Sequence, residues 1–337
     1  MYPLIKKIMF RLNAETSHHL TLSALQFAYR LRLSSLLYPA IHSTPQTIMG
    51  LQFPHHVGLA AGLDKNGDYI DALASLGFAF IEIGTITPKP QLGNPKPRLY
   101  RLIKEEAIIN RMGFNNKGID HALSRLSKMK YKGILGINIG KNAITPNDRA
   151  IDDYIAGFRA FWKYASYITI NISSPNTQGL RDLQQEDAFA NLLHVMKQEQ
   201  LTVLRTYEKY IPLAVKISPD LSREEIEMMC KIMLREKIDA VIATNTAIAR
   251  DGVVHAASGG LSGKPLQARS TRIIKTLHEF LQDNIPIIAA GGVIDAQSAR
   301  DKIANGAKLV QIYSGLIYKG PALIREAAHA SADEYLT

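Results

Sequence analysis

Short runs of uninterrupted apolar residues recur along the chain, each ending in a polar or glycine tip. Eight of them read as strands: Val57–Ala61, Phe80–Thr85, Ile134–Ile139, Tyr167–Ile172, Leu213–Ile217, Ala240–Thr244, Ile285–Ala290 and Leu309–Tyr313. Most are apolar and β-branched throughout rather than alternating, as expected where both faces of a parallel sheet are covered. Between them the apolar spacing becomes helical, over Asp68–Leu76, Asp187–Lys209, Arg223–Glu236, Thr271–Leu281 and Gln297–Ala304. Strand alternating with helix predicts parallel βαβ units. Eight such units within about 250 residues is the size of an α/β TIM (β/α)8 barrel. Two segments fall outside the pattern: residues 1–40, and a long connection over 86–133 rich in proline.

The strand tips support closure. They carry Ala60-Ala61-Gly62, Thr85, Asn138, Asn171, Lys216, Thr244-Asn245-Thr246, Gly291-Gly292 and Tyr313-Ser314. In a closed barrel these ends meet on one face, where active sites sit; an open doubly wound sheet would spread them along a crevice. Polar turn residues end many strands for ordinary reasons, which covers a lone Asn or Thr. That explanation does not cover Lys216, inside Ala214-Val215-Lys216-Ile217, because a buried lysine needs a partner. The alternative is a structural ion pair, but an acid inside this barrel is hard to place from the sequence. The densest polar tip is Asn171-Ile172-Ser173-Ser174-Pro175-Asn176-Thr177, whose amides and hydroxyls must face a ligand, water or one another.

Glycines follow the sixth, seventh and eighth strands, at Gly259–Gly263, Gly291-Gly292 and Gly315. Each alone is explained by backbone freedom. Together, at the mouth of a barrel, they make a phosphate site. No Gly-x-Gly-x-x-Gly follows a strand, so a Rossmann dinucleotide site is unsupported. There is no His-Glu-x-x-His or Cys-x-x-Cys, and no metal site is expected. A phosphate cradle beside amides and a buried lysine suits FMN, since a lysine near the flavin's N1–C2=O edge would stabilise the anion formed on reduction.

Composition narrows the partners. The 337 residues are 46% hydrophobic and carry a net charge of +10, which invites nucleic acid, an anionic membrane or acidic small molecules. No basic cluster with interleaved aromatics occurs, so nucleic acid is not expected. The one cysteine, Cys230, excludes an internal disulfide, reads as packing in a helix, and fits a reducing compartment. No run approaches the ~20 apolar residues that a membrane span needs. The N-terminus lacks a signal peptide's apolar core and cleavage site. Residues 1–40 instead read as a helical hairpin. Leu4, Ile5, Ile8, Met9 and Leu12 share one face, Leu20, Ala24, Phe27, Ala28 and Leu31 make a second stripe, and Pro39 ends the run. With Lys6, Lys7 and Arg11 off the apolar face and Glu15 the sole acid, this hairpin suits an anionic membrane surface. Packing against the flank of the barrel is the alternative.

Ala60–Lys65, Glu82–Thr85, Asn110–Asn116, Gly136–Lys141, Asn171–Thr177, Ala243–Thr246, Gly259–Gly263 and Gln311–Gly315 resemble the motifs of the dihydroorotate dehydrogenases. The likeness runs from about residue 45 to the C-terminus, and the N-terminal helices and Ser174 resemble the class 2, quinone-reducing branch. The resemblance implies oxidation of (S)-dihydroorotate to orotate with FMN, reoxidation by a membrane quinone, and a place in de novo pyrimidine synthesis. It implies a 1–40 membrane and quinone-entry hairpin, a 45–337 catalytic barrel, a monomer, and peripheral attachment at the cytoplasmic face of a bacterial cell membrane.

By the same resemblance Ser174 is the base that takes a proton from C5 while hydride leaves C6 for the flavin N5. The implied flavin set is Ala61, Gly62, Leu63, Asp64, Lys65, Thr85, Asn138, Asn171, Lys216 and Thr244, with Gly263, Gly292, Tyr313 and Ser314 at the phosphate end. The implied substrate set is Lys65, Asn110, Arg111, Met112, Gly113, Phe114, Asn171, Asn176, Asn245 and Thr246. His18, Arg101 and Tyr313 match positions near the quinone tunnel, and Ala247–Ser258 is part of a substrate lid. Two enzyme rivals stay open: a dihydroorotate oxidase using fumarate or NAD, for which cysteine in place of Ser174 and no hairpin would be expected, and a non-redox phosphate-binding barrel. A membrane-surface module without catalysis would leave Ser174 and the amides unexplained.

Overall fold

The chain was analysed as a computed structural model that describes residues 2–33, 41, 45–250 and 252–332. In chain order the strands are β1 (Gln46–Ile48), β2 (Leu51–Phe53), β3 (Val57–Leu59), β4 (Phe80–Ile86), β5 (Leu99–Leu102), β6 (Ala107–Asn110) and β7 (Ile134–Ile139). They continue with β8 (Tyr167–Asn171), β9 (Leu213–Ile217), β10 (Ala240–Ala243), β11 (Gly260–Gly263), β12 (Ile287–Ala290) and β13 (Ala307–Ile312). β3, β4, β7, β8, β9, β10, β12 and β13 pair in that order and close into a barrel. Every pairing in it is parallel, as the apolar, non-alternating runs require. All eight expected strands are present, and the fold is a TIM barrel.

Helices cover the outside. Arg223–Arg235 starts at a capping box formed by Ser222 and Glu225, and Ala296–Ala304 starts at one formed by Asp295 and Ser298. The expected helix Asp68–Leu76 contracts to Ile70–Ala74. The Asp64 carboxylate takes the N–H groups of Asn66, Asp68 and Tyr69, which holds that stretch as a loop. The helix expected from Thr271 begins earlier, at Gln267, directly after a single turn containing Pro265.

The N-terminal end of the barrel is plugged. The β1–β2 hairpin brings Phe53 edge-on to Phe80, with ring centroids 5.2 Å apart, and Phe80 in turn meets Tyr167. These rings join Ile134, Ile242, Ile288 and Leu309 in a sealed apolar cluster. Gly58 is required here: a Cβ on it would lie 2.3 Å from the Phe80 ring.

Over the opposite end sits a small antiparallel sheet of β5, β6 and β11. The sequence shows this region only as a proline-rich connection, and Gly259–Gly263 only as a glycine loop. Gly260–Gly263 is a strand, β11, whose register sets Gly260 opposite Asn110 at the end of β6. The N-terminal segment holds two helices, α1 (Tyr2–Met9) and α2 (Ala14–Arg30), with Asn13 capping α2. Its expected end at Pro39 lies outside the described residues.

Candidate active site

A pocket at the C-terminal mouth of the barrel encloses, with its opening, about 1070 Å³. It is lined by Ala61, Gly62, Lys65, Thr85, Asn110, Met112, Gly113, Phe114, Asn171, Ser174, Asn176, Lys216, Thr244, Asn245 and Thr246, and by Gly263, Gly292, Tyr313 and Ser314. Seven strand tips and the small sheet therefore deliver most of the expected residues to one cavity. Lys216 and Ser174, from different strands, share its wall.

Four residues of the expected flavin and substrate sets do not line it. Asp64 is buried and caps its own loop as described, and Leu63 packs in the core. Arg111 is drawn outward, its guanidinium donating to the Pro97 carbonyl at 2.9 and 3.1 Å. Asn138 lies one layer below the pocket and acts on the others. Its Oδ1 accepts from the Thr85 hydroxyl at 2.6 Å and from Asn171 Nδ2 at 3.1 Å. Asn171 Oδ1 then accepts from Ser173 and from Asn245 Nδ2. These amides hold one another in a fixed orientation, and Asn171 and Asn245 line the cavity.

The direction of that chain comes from a residue with no role in the sequence reading. Glu82 on β4 is fully buried, and its carboxylate accepts from Asn138 Nδ2 at 2.8 Å, Tyr167 Oη at 2.9 Å and Gln311 Nε2 at 2.7 Å. With Glu82 accepting from its Nδ2, Asn138 presents its NH2 downward and its oxygen upward. The acid that was hard to place from the sequence is therefore Glu82, inside the barrel. Alternation along the strand, with Glu82 and Gly84 on the interior side, was the signal for it. Glu82 also acts on Lys216, but at a distance beyond ion-pair contact. Lys216 is buried, burial lowers its pKa, and Glu82 opposes that shift. The Lys216 ammonium finds no hydrogen-bond acceptor among the described residues, while it lines the pocket. A buried cation with open donors calls for a ligand acceptor.

Lys65 is the second cation of the wall. Burial and the nearby Arg98 push its ammonium down to about 8, with Glu15 opposing. Glu15 and Arg98 are themselves a buried pair at 2.7 Å, which ties α2 to the barrel. The Arg98 guanidinium also donates to the Leu92 and Asn94 carbonyls, and Asn94 Nδ2 donates to the carbonyls of Arg111 and Asn176. The sole acid of the hairpin thus supports the loop that carries Asn110 to Phe114.

Ser174 is buried, and the Asn176 N–H donates to its Oγ at 3.2 Å. A hydrogen bond to that oxygen favours negative charge on it. Three residues on, the Thr177 hydroxyl is buried without a partner among the described residues, so a water is its natural partner. Cys230 is buried far along the helix Arg223–Arg235, its thiol pushed up to about 12, and serves as packing.

At the other end of the pocket the glycines are obligatory. A Cβ at Gly263 would meet the Glu106 carbonyl at 2.3 Å, and one at Gly292 would meet Gln267 Cα at 2.3 Å. Both have positive φ. The Ser262 and Ser314 hydroxyls face each other at 2.9 Å beside them. A cradle of bare backbone and hydroxyls suits a phosphate.

The dihydroorotate dehydrogenase family model matches residues 43–330. The chain belongs to the dihydroorotate dehydrogenase family. It is 53% identical over 332 residues to the dihydroorotate dehydrogenase (quinone) of Cellvibrio japonicus, covering 97% of both chains. It is 54% identical over 336 residues to the enzyme of the same name from Ectopseudomonas mendocina, covering 98% of this chain and 99% of that one. The crystal structure of DHODH in complex with ferulenol from Eimeria tenella superposes with a TM-score of 0.87 at 35% identity, covering 98% of this chain and 95% of that one. The chain is of the quinone-dependent branch of this family, an oxidoreductase.

Of the three positions matched to this branch's quinone tunnel, His18 is on α2, Arg101 on β5 and Tyr313 directly after β13. Tyr313 lines the pocket. His18 stands near Lys65, and burial together with that lysine pushes it down to about 3. Arg101 faces α1: its guanidinium lies 4.7 Å from the Phe10 ring centroid and donates to the Met9 and Leu12 carbonyls. Arg101 therefore caps the C-terminal end of α1.

Proposed function

We propose that this chain oxidises (S)-dihydroorotate to orotate with FMN held in the mouth pocket, and passes the electrons to a membrane quinone. The observation that carries the reading is Lys216, a buried cation with open donors, sharing a wall with Ser174 and the amides Asn110, Asn171, Asn176 and Asn245. The residues fit FMN. Gly263, Gly292 and Ser314 would take its phosphate, and Lys216 with Asn171 and Thr244 its polar ring edge. When bound, FMN accepts the hydride that leaves C6 of the substrate and returns the electrons to quinone.

The remaining work is done by the chain. Asn110 Nδ2 and Asn176 Oδ1, left over by the hydrogen bond between these two amides, offer a donor and an acceptor to a pyrimidine edge that alternates N–H and C=O. Lys65 pairs with the substrate carboxylate. Ser174 takes the C5 proton, its oxygen helped by the Asn176 N–H, and Thr177 with a water gives that proton a route outward. The cover of β5, β6 and β11 keeps bulk water from the reacting atoms.

Residues 1–40 would attach the enzyme to the surface of a membrane. Leu4, Ile5, Ile8, Leu12, Leu20, Phe27 and Leu31 are all exposed, and among the described leucines, isoleucines and phenylalanines of this segment only Leu22 turns fully inward. An apolar face of this extent on a soluble protein marks an interaction surface. No described helix is long and apolar enough to cross a membrane, which fits attachment at one face. Tyr2 and Lys6 bond to the carbonyls of Leu316, Ile317 and Tyr318, so the hairpin stays docked while its outer face is free.

Anaerobic titration with dihydroorotate tests the reading. Yellow protein that bleaches stoichiometrically and recolours with a soluble quinone analogue supports it; colourless protein that takes up no FMN removes it.

A further inference from the structure

Lys302, on the helix Ala296–Ala304, is fully buried, and its ammonium spends all three donors on neutral oxygens. It donates to the Gln267 carbonyl at 3.0 Å, Ser270 Oγ at 2.5 Å and Thr271 Oγ1 at 2.7 Å, all in the first turns of the helix Gln267–Leu281. No carboxylate pairs with it among the described residues, and burial pushes it down to about 7. A buried charge without a counter-ion is costly, and a methionine would pack the same space more cheaply. Its use lies in what it holds.

Ser270 receives the ammonium's hydrogen bond, and its one proton faces three carbonyls: Gly291 at 2.8 Å, the nearest, Leu266 at 2.9 Å and Gln267 at 3.1 Å. A hydroxyl that accepts from a cation donates more strongly. Gly291 and Gly292 both line the pocket, and Gly292 lies directly on the turn that Lys302 clamps. The peptide between them is planar and trans, so its N–H points opposite to its C=O. Drawing the Gly291 carbonyl back toward Ser270 therefore turns the Gly292 N–H the other way, toward the cavity.

We propose that Lys302 is a positioning residue for the phosphate end of the pocket: through Ser270 it fixes the Gly291 carbonyl and so aims the Gly292 amide at a bound phosphate. This rests on the FMN reading and deepens it. Lys302 touches no ligand itself.

The test compares FMN with riboflavin, which has the same ring and no phosphate. Both are titrated into full-length apoprotein, followed by quenching of flavin fluorescence. Wild type should bind FMN the more tightly. Lys302→Met should weaken FMN by about tenfold, the worth of one hydrogen bond to an anion, and leave riboflavin nearly unchanged. Ser270→Ala keeps the lysine, removes the relay, and should reproduce the selective loss; it decides the matter alone if Lys302→Met does not fold. Parallel weakening of both flavins, or no change in either, would overturn the role of Lys302 while leaving FMN binding intact. Wild type that binds neither flavin would overturn the FMN reading and this one with it.

Discussion

The two ends of the barrel are built from the same strands and have opposite chemistry. At the closed end, Phe53, Phe80 and Tyr167 stack edge to face with no group left unpaired toward solvent. At the open end, Lys216 and Ser174 are buried with hydrogen-bonding capacity in reserve, while Asn171 and Asn245 beside them are held in place by their neighbours. The difference teaches how to sort buried residues: a saturated one holds the fold, an unsaturated one awaits a ligand. Glu82 is the seam between the two, with one oxygen on Asn138 above and the other on Tyr167 and Gln311. Two of the buried lysines, Lys302 and Lys216, show the same division. Lys302 is saturated by three oxygens behind the wall. Lys216 is on the wall and open.

The sharpest break of this comparison is Phe80→Ala. Loss of a fully buried ring that touches both Phe53 and Tyr167 should cost ~3–5 kcal/mol of stability. Flavin reduction per folded molecule should survive. Urea unfolding together with single-turnover reduction of the folded fraction checks this; a large rate loss at full stability would erase the division between the ends. Ser174→Ala is its mirror image. Stability, FMN and orotate binding should hold, while flavin reduction slows by roughly a hundredfold or more if a general base is lost. Near-normal reduction in a stopped-flow trace would remove Ser174 from the mechanism.

The barrel was legible because its strands are apolar on both faces, and most of the mouth because each polar tip ends such a run. Three things were not. Glu82 was hidden because one acid inside a β-branched strand looks like noise until its three donors arrive from β7, β8 and β13. The β5–β6–β11 cover was hidden because its partners are far apart in sequence and short strands carry little pattern. Arg111 and Asp64 read as ligands by motif, yet each is consumed by nearby backbone, an outcome only geometry reveals.

A pH series sharpens the open end further. Lys65 sits near 8 in the folded protein, against 10.5 in the free side chain. Between those values the folded chain holds fewer protons than the unfolded one, so stability from this group rises with pH. Substrate affinity moves the other way, because only the charged ammonium pairs with a carboxylate. Above pH about 8, kcat/KM for dihydroorotate should fall, approaching tenfold per pH unit. Lys65→Arg should push that limb to higher pH if the variant still binds substrate. A limb unmoved in a binding-competent variant would assign the titration to another group.

The gentlest change concerns the hairpin, where the same sorting rule meets an apolar surface instead of an open donor. Removing residues 1–40 outright is a poor probe, because it takes away Glu15 and leaves Arg98 buried without its counter-charge. Ile8→Ser avoids this, since Ile8 is exposed and the hydrogen bonds described above between α1 and the body of the protein are made by Tyr2, Lys6 and the Arg101 cap. The variant should match wild type in melting temperature and in flavin reduction by dihydroorotate. Its binding to vesicles containing anionic lipid should weaken by roughly tenfold or less, the share of one partly inserted side chain. Reoxidation by a vesicle-borne quinone should slow in proportion, while reoxidation by a short-chain soluble analogue stays constant. If vesicle binding is unchanged, the exposed stripe is not the lipid-facing surface, and its apolar side chains need another partner.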